Sequence, residues 1–262
     1  LRKYVDKALV IFPFEEKFYR DRGVDAQFVG HPLADLPRPA VSRDQYAAEH
    51  GLDISKPWIT LMPGSRVKEV RMNLFTMVDA VLLLGSDYEY LLPVAPTLEP
   101  ELLYREIGED HVGDARVELP NIKLVSDALP ALAHSRAGII ASGTATVEAA
   151  IMETPFVMVY RVTPLTYLLG RSSVKVPHFA MVNLIAGREV VPELVQQGFT
   201  PEKVAAEVNR IIPDGKDRET VITGLREVRS LLRRGSGDGD HPANKAAQEI
   251  LKLAQARVQI PA

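Results

Sequence analysis

The 262 residues suffice for one large α/β domain, or for one domain and part of another. A hydrophobic fraction of 46%, a charged fraction of 25% and a net charge of −3 describe an ordinary globular chain, with no reason to expect nucleic acid as a partner. The absence of cysteine excludes disulfides, thiolate nucleophiles and cysteine-ligated zinc, and no apolar run approaches the roughly 18–20 residues that span a bilayer.

The chain opens without an initiator methionine or a signal peptide and runs at once into Ala8–Phe12, a strand pattern, so it reads as a piece entered mid-fold. Further short apolar runs follow at Gln27–Val29, Trp58–Met62, Tyr88–Leu92, Ile122–Val125, Gly138–Ala141 and Phe156–Tyr160. Most are apolar throughout rather than alternating, which suits strands covered on both faces. Helical patterns fall between them and beyond, at about 14–22, 42–50, 67–84, 98–107, 127–135, 144–152, 164–173, 189–197, 201–212, 216–234 and 241–256. Alternation of this kind predicts βα units and a doubly wound, Rossmann-like parallel sheet. The proline-rich stretch from Gly30 to Ala40 reads as a linker, and Gly235 to Asp240 as a second break. The expected division is therefore 1–35 as the end of one domain with its linker, 36–240 as the main domain, and 241–262 as a separate C-terminal helix.

Two glycine turns have the chemistry of a ligand site. Pro63-Gly64-Ser65-Arg66 follows the strand at Trp58–Met62 and opens a helix near Val67. Gly64 allows a tight turn, Ser65 can cap the helix, and Arg66 suits bidentate contact with a phosphate. A capped surface helix carrying a solvated arginine would read the same. Ser142-Gly143-Thr144-Ala145-Thr146-Val147-Glu148 follows the strand at Gly138–Ala141 and offers hydroxyls, a glycine and free helix N–H groups to an anion. Glu148, one turn into that helix, could accept hydrogen bonds from two sugar hydroxyls, or simply interact favourably with the helix dipole. Two such turns in one sheet favour a site for a diphosphate and a ribose.

Other signatures are missing. No P-loop, His-Glu-x-x-His or Gly-x-Ser-x-Gly motif occurs, and Gly235-x-Gly237-x-Gly239 follows no strand. The six histidines show no ligand spacing and Asp238-Gly239-Asp240 reads as linker, so neither a metal nor a cofactor is indicated. From Thr154 to Arg188 there is no acidic residue, while Arg161, Arg171, Lys175 and Arg188 lie among Leu165, Tyr167, Leu168, Leu169 and Phe179. Such a segment could rest on anionic lipid, bind an anionic substrate, or be core helix with its cations in solvent.

Taken in order, these motifs resemble the lipid-A-disaccharide synthases, bacterial glycosyltransferases of the two-domain GT-B type. The resemblance is carried by Phe12-Pro13-Phe14-Glu15 with Phe18-Tyr19, Phe28-Val29-Gly30-His31-Pro32-Leu33, Leu61 through Arg66 and Ser142 through Glu148. It continues through Tyr160-Arg161, Leu169 to Lys175, and Val182-Asn183-Leu184-Ile185-Ala186-Gly187-Arg188-Glu189. It covers nearly the whole chain, which would then be the C-terminal half of a GT-B enzyme with a remnant of the first domain.

The resemblance implies transfer of diacylglucosamine from its UDP donor to the 6-hydroxyl of diacylglucosamine 1-phosphate, with inversion and without a metal. It implies that Gly64, Ser65 and Arg66 meet the diphosphate, that Ser142, Gly143, Thr144, Ala145 and Thr146 hold the nucleotide, and that Glu148 holds the ribose. Asn183 would sit at the donor sugar, and Arg161 and Lys175 near the acceptor phosphate or lipid headgroups. The inner-membrane surface and a second copy of the chain are further expected partners. It further implies a general base in the first domain, onto which the helix at 241–262 would pack, so this piece alone is expected to bind nucleotide weakly and not to turn over. Glu15 and Asp35 read as structural. Two rivals are another GT-B enzyme acting on a UDP-sugar, and a non-catalytic nucleotide-sugar sensor.

Overall fold

The computed structural model describes residues 3–108, 121–162, 177–234 and 241–258. The chain divides into two compact units, Leu1–Pro37 with Arg226–Ala262, and Arg38–Leu225.

In the first unit, β1 (Ala8–Val10) and β2 (Ala26–Phe28) pair in parallel and α1 (Pro13–Arg20) connects them. Pro13 starts α1 where its missing N–H costs nothing. Glu15 accepts the Phe12 N–H at 3.2 Å, closing the first turn. The C-terminal part of α9 (Lys216–Arg233) and all of α10 (Pro242–Val258) belong to this unit. Lys7 bridges α10 to the β-pair by meeting Glu249 at 3.0 Å, and Asp35 pairs with Arg233 at 3.0 Å.

The second unit holds a sheet of six parallel strands in the order β5 (Ile122–Val125), β4 (Glu89–Pro93), β3 (Trp58–Met62), β6 (Ala137–Ala141), β7 (Phe156–Tyr160) and β8 (Glu193–Val195). Counted from β3, this is the doubly wound Rossmann order. The helices between the strands are α2 (Arg43–His50) before β3, α3 (Val67–Leu84), α4 (Pro100–Gly108), α5 (Ala128–His134), α6 (Ala145–Met152) and α7 (Met181–Ala186), with α8 (Pro201–Ile211) after β8.

Local chemistry sets the helix ends. Ser42 and Gln45 form a reciprocal capping box at α2, whose chain then turns at Gly51 with φ of 63°. Asp127 caps α5 through the Leu129 N–H, and Thr200 with Pro201 starts α8. In α3, Val70, Leu74, Met77, Val78 and Val81 recur on one face and are buried. The central strands β3, β6 and β7 are buried almost throughout, which explains why they read as unbroken apolar runs. Tyr46, Trp58, Leu91, Val125 and Ala131 form a core cluster to one side, with the Tyr46 hydroxyl donating to the Asp127 carbonyl.

Two segments differ from the sequence reading. The helix expected at 189–197 is instead the edge strand β8, followed by a single 3₁₀ turn at Gln196–Gly198. Pro192 stands where a continuing helix would need its N–H, and its carbonyl accepts the Met158 N–H that joins the segment to β7. The short helix α7, ending at Gly187 with φ of 67°, was not anticipated. The helix expected at 164–173 lies outside the described residues.

Ile139 lies at the middle of β6, fully buried between β3 and β7. Ile139→Ala should cost about 2–5 kcal/mol in urea unfolding; a loss under 1 kcal/mol would show that the sheet centre repacks freely.

Candidate functional site

In the doubly wound order the chain leaves β3 outward through β4 and β5, then returns to lay β6 on the other side of β3. The turns after β3 and β6 therefore diverge from adjacent strands and leave a crevice at their carboxyl ends. A cavity of about 400 Å³ occupies that crevice. The first turn contributes Pro63, Gly64 and Ser65, and the second Ser142, Gly143, Thr144 and Ala145. Glu148 and the loops at Val94–Pro96 and Ser126–Leu129 complete the wall. A second cavity of about 260 Å³ lies alongside, lined by Arg66, Lys68, Met72, Asn73, Tyr160 and Arg161.

Gly64 has φ of 125°, a conformation costly for any side chain. A Cβ there would also fall 2.5 Å from the Glu69 Cβ and 2.6 Å from its Oε2. The turn is closed by Glu69 itself, which accepts the Ser65 N–H at 3.1 Å and the Arg66 Nη1 at 2.6 Å. Ser65 is not the helix cap: Arg66 occupies the N-cap position and no side chain caps it. The Ser65 carbonyl accepts the Thr97 hydroxyl, which ties the turn to the loop after β4. Glu69 went unremarked in the sequence, although an acid at the third helical position is a known start signal.

Gly143 has φ of 152° and open space where a Cβ would be. The Ser142 hydroxyl donates to the Phe179 carbonyl at 2.8 Å, and the buried Thr146 hydroxyl donates to the Gly143 carbonyl at 2.7 Å. Thr146 therefore supports the turn and does not line the cavity. Thr144 is exposed, lines the cavity, and its hydroxyl makes no cap bond. Glu148 is partly buried, and burial first, then the nearby negative charge of Asp127, raises its pKa above the ordinary value. Asp127, another residue the sequence did not single out, lines the same cavity.

Arg161 extends from the end of β7 into the second cavity. Its guanidinium donates to the Thr76 hydroxyl at 2.7 Å and to the Phe199 carbonyl, and lies 4.7 Å from the Phe199 ring centre. Burial lowers its pKa from the usual value, yet an arginine stays charged at neutral pH.

Asn183 lines neither cavity. It is fully buried, its amide donating to the Val191 carbonyl and to Glu193 at 2.9 and 2.8 Å, and its oxygen accepting the Val190 and Val191 N–H groups at 2.8 and 3.1 Å. Lys175 lies outside the described residues.

The Asn183 bonds make a stability prediction. Asn183→Leu should lower unfolding free energy by about 1–3 kcal/mol for each buried partner left unmade, read by denaturant titration; an unchanged midpoint would mean that water reaches those partners. A second prediction concerns pH. With its raised folded pKa, Glu148 holds its proton more tightly in the folded chain than in the unfolded one. Its contribution to stability is therefore complete below the ordinary value of 4.5 and lost as pH rises through the folded value. Glu148→Gln removes that loss, so its Tm should exceed the parent's at about pH 7 and match it near pH 4. A lower Tm at pH 7 would reveal a favourable partner for the ionised carboxylate.

The description "Lipid-A-disaccharide synthetase" belongs to the family model that matches residues 1–247. A lipid-A-disaccharide synthase of Koribacter versatilis is 50% identical over 255 residues, covering 97% of this chain and 65% of the relative. One from Acidobacterium capsulatum is 47% identical over 259 residues, covering 96% and 64%. The chain thus spans just under two thirds of the length of these relatives. Among solved structures, the calicheamicin glycosyltransferase CalG4 aligns with a TM-score of 0.54 at 18% identity, over 97% of this chain and 55% of its own. The glycotransferase of kitacinnamycin aligns at 0.55 and 17%, over 93% and 54%. The structural likeness speaks for the fold, and the sequence match goes further: the chain belongs to the lipid-A-disaccharide synthetase family.

Proposed function

We propose that the protein serves as an inverting glycosyltransferase. It condenses UDP-2,3-diacylglucosamine with 2,3-diacylglucosamine 1-phosphate to give lipid A disaccharide 1-phosphate and UDP. The observation that best supports this reading is the cavity between the β3 and β6 turns, in a chain of this family.

The cavity suits a nucleoside diphosphate in three parts. Val94–Pro96 and Ser126–Leu129 leave a slot for the base, Glu148 faces the ribose, and the turns at Gly64–Ser65 and Ser142–Ala145 face the phosphates. Around Gly143 a phosphate can approach the backbone without obstruction. In the transfer, the acceptor's 6-hydroxyl oxygen bonds to the anomeric carbon on the face opposite the departing UDP. The bond from that carbon to the phosphate oxygen breaks, and the hydroxyl proton passes to a base. Charge grows on the leaving diphosphate, where Arg66 would stabilise it.

Arg161, in the second cavity, is assigned to the acceptor phosphate or to lipid headgroups; the same role is proposed for Lys175 on the family resemblance alone. Asn183 would reach the donor-sugar side only through the segment it anchors. The acyl chains of both substrates argue for a protein held at the cytoplasmic face of the inner membrane. β7 and the buried residues of α7 belong to the core, so only cations at the surface of the stretch from Thr154 to Arg188 would meet anionic lipid, each adding up to about 1 kcal/mol. No helix among the described residues is long and apolar enough to cross a membrane. A second copy of the chain is the remaining expected partner.

Calorimetric titration of UDP tests the core of this reading. The chain should bind UDP saturably, and Arg66→Ala should weaken binding by about 1.5–3 kcal/mol, the worth of a charge-assisted hydrogen bond. A folded sample that takes up no UDP would overturn the assignment of the cavity.

A further inference from the structure

The larger cavity has an electrostatic oddity for a diphosphate site. Among the described residues its charged lining consists of three carboxylates, Glu69, Asp127 and Glu148, with no lysine, arginine or histidine. The cations Arg66, Lys68 and Arg161 line the neighbouring cavity instead. Among the described residues Glu69 is the one charged side chain that lines both. Its two oxygens are split between the groups a phosphate would need: Oε2 takes the Ser65 N–H and Oε1 takes the Arg66 guanidinium. The side chain also lies directly against Gly64, in the space a Cβ would fill.

On the nucleotide-donor reading above, we propose that Glu69 competes with the donor's diphosphate for the Ser65 amide and for Arg66, and that donor binding exchanges one anion for the other. Glu69 places a carboxylate where the phosphate must come, and holds Arg66 on the side of the second cavity. The pair is cheap to break. The Arg66 side chain is 79% exposed and that of Glu69 37%, and exposed ion pairs contribute little stability. Arg66, once released, would bring to the larger cavity the positive charge that its lining lacks. Glu69 thereby tunes donor affinity without touching the reacting atoms, and through the phosphates alone.

The last point gives the experiment. UDP and uridine are titrated into the parent chain, Glu69→Gln and Glu69→Ala, with thermal melts to confirm folding. Both variants should bind UDP more tightly, by roughly two- to fivefold, the range spanned by exposed ion pairs. Uridine, which has no phosphate to compete, should bind all three equally. A residue that merely braces the turn would produce the opposite result. UDP affinity unchanged or weakened in both variants, with uridine still bound, overturns the role of Glu69 and leaves the nucleotide site standing. If neither UDP nor uridine binds the folded parent, the nucleotide reading falls and the competition falls with it.

Discussion

The adjacency of β3 and β6 is the constraint on which the rest depends. The order in which strands are added reverses across that parallel pair, one arm of the sheet growing through β4 and β5 and the other through β7 and β8. Consecutive βα connections would otherwise close each strand end with its own helix. Only at the reversal do two turns part and leave the strand ends open. The register Ile59 to Ala137 through Met62 to Ile140 brings the carboxyl ends of the two strands level, so Gly64 and Gly143 open onto one volume. The buried Thr60–Ser135 hydroxyl contact at 2.7 Å joins β3 to the end of α5, two residues before β6, so these two buried hydroxyls satisfy each other.

The site above that frame is made by short-range chemistry, and its two halves differ. The β6 turn is open: Gly143 has room about it and Thr144 an uncommitted cap. The β3 turn is filled, because the backbone conformation Gly64 permits is occupied by Glu69 from the next helical turn. Among the described residues the bases line one cavity alone, Asp127 and Glu148 the other, and Glu69 lies between.

Much of the frame was legible in the sequence, for reasons that also explain what was not. Trp58–Met62 and Phe156–Tyr160 stand where the apolar runs put them, because a doubly covered strand has few polar positions to blur its edges. β8 has three half-buried residues, one of them Glu193, and its identity as a strand depends on β7 beside it. The glycine turns could be read because few residues adopt their φ values. Glu69 and Asp127 could not, since nothing in the local sequence says that a helix-start acid will face a cavity. Asn183 was located through family resemblance, while its four bonds to residues 190–193 follow from the fold of α7 onto the edge strand.

Those bonds belong to a longer relay. Glu193 accepts the Phe179 and Ala180 N–H groups at 2.8 and 3.0 Å, and the Phe179 carbonyl accepts the Ser142 hydroxyl at the cavity wall. The outermost strand, the segment before α7 and the β6 turn are thus strung together. A three-residue edge strand is the easiest part of a sheet to peel away. Here peeling would free the wall of the crevice, so the edge of the sheet and the outer rim of the site hold or fail together.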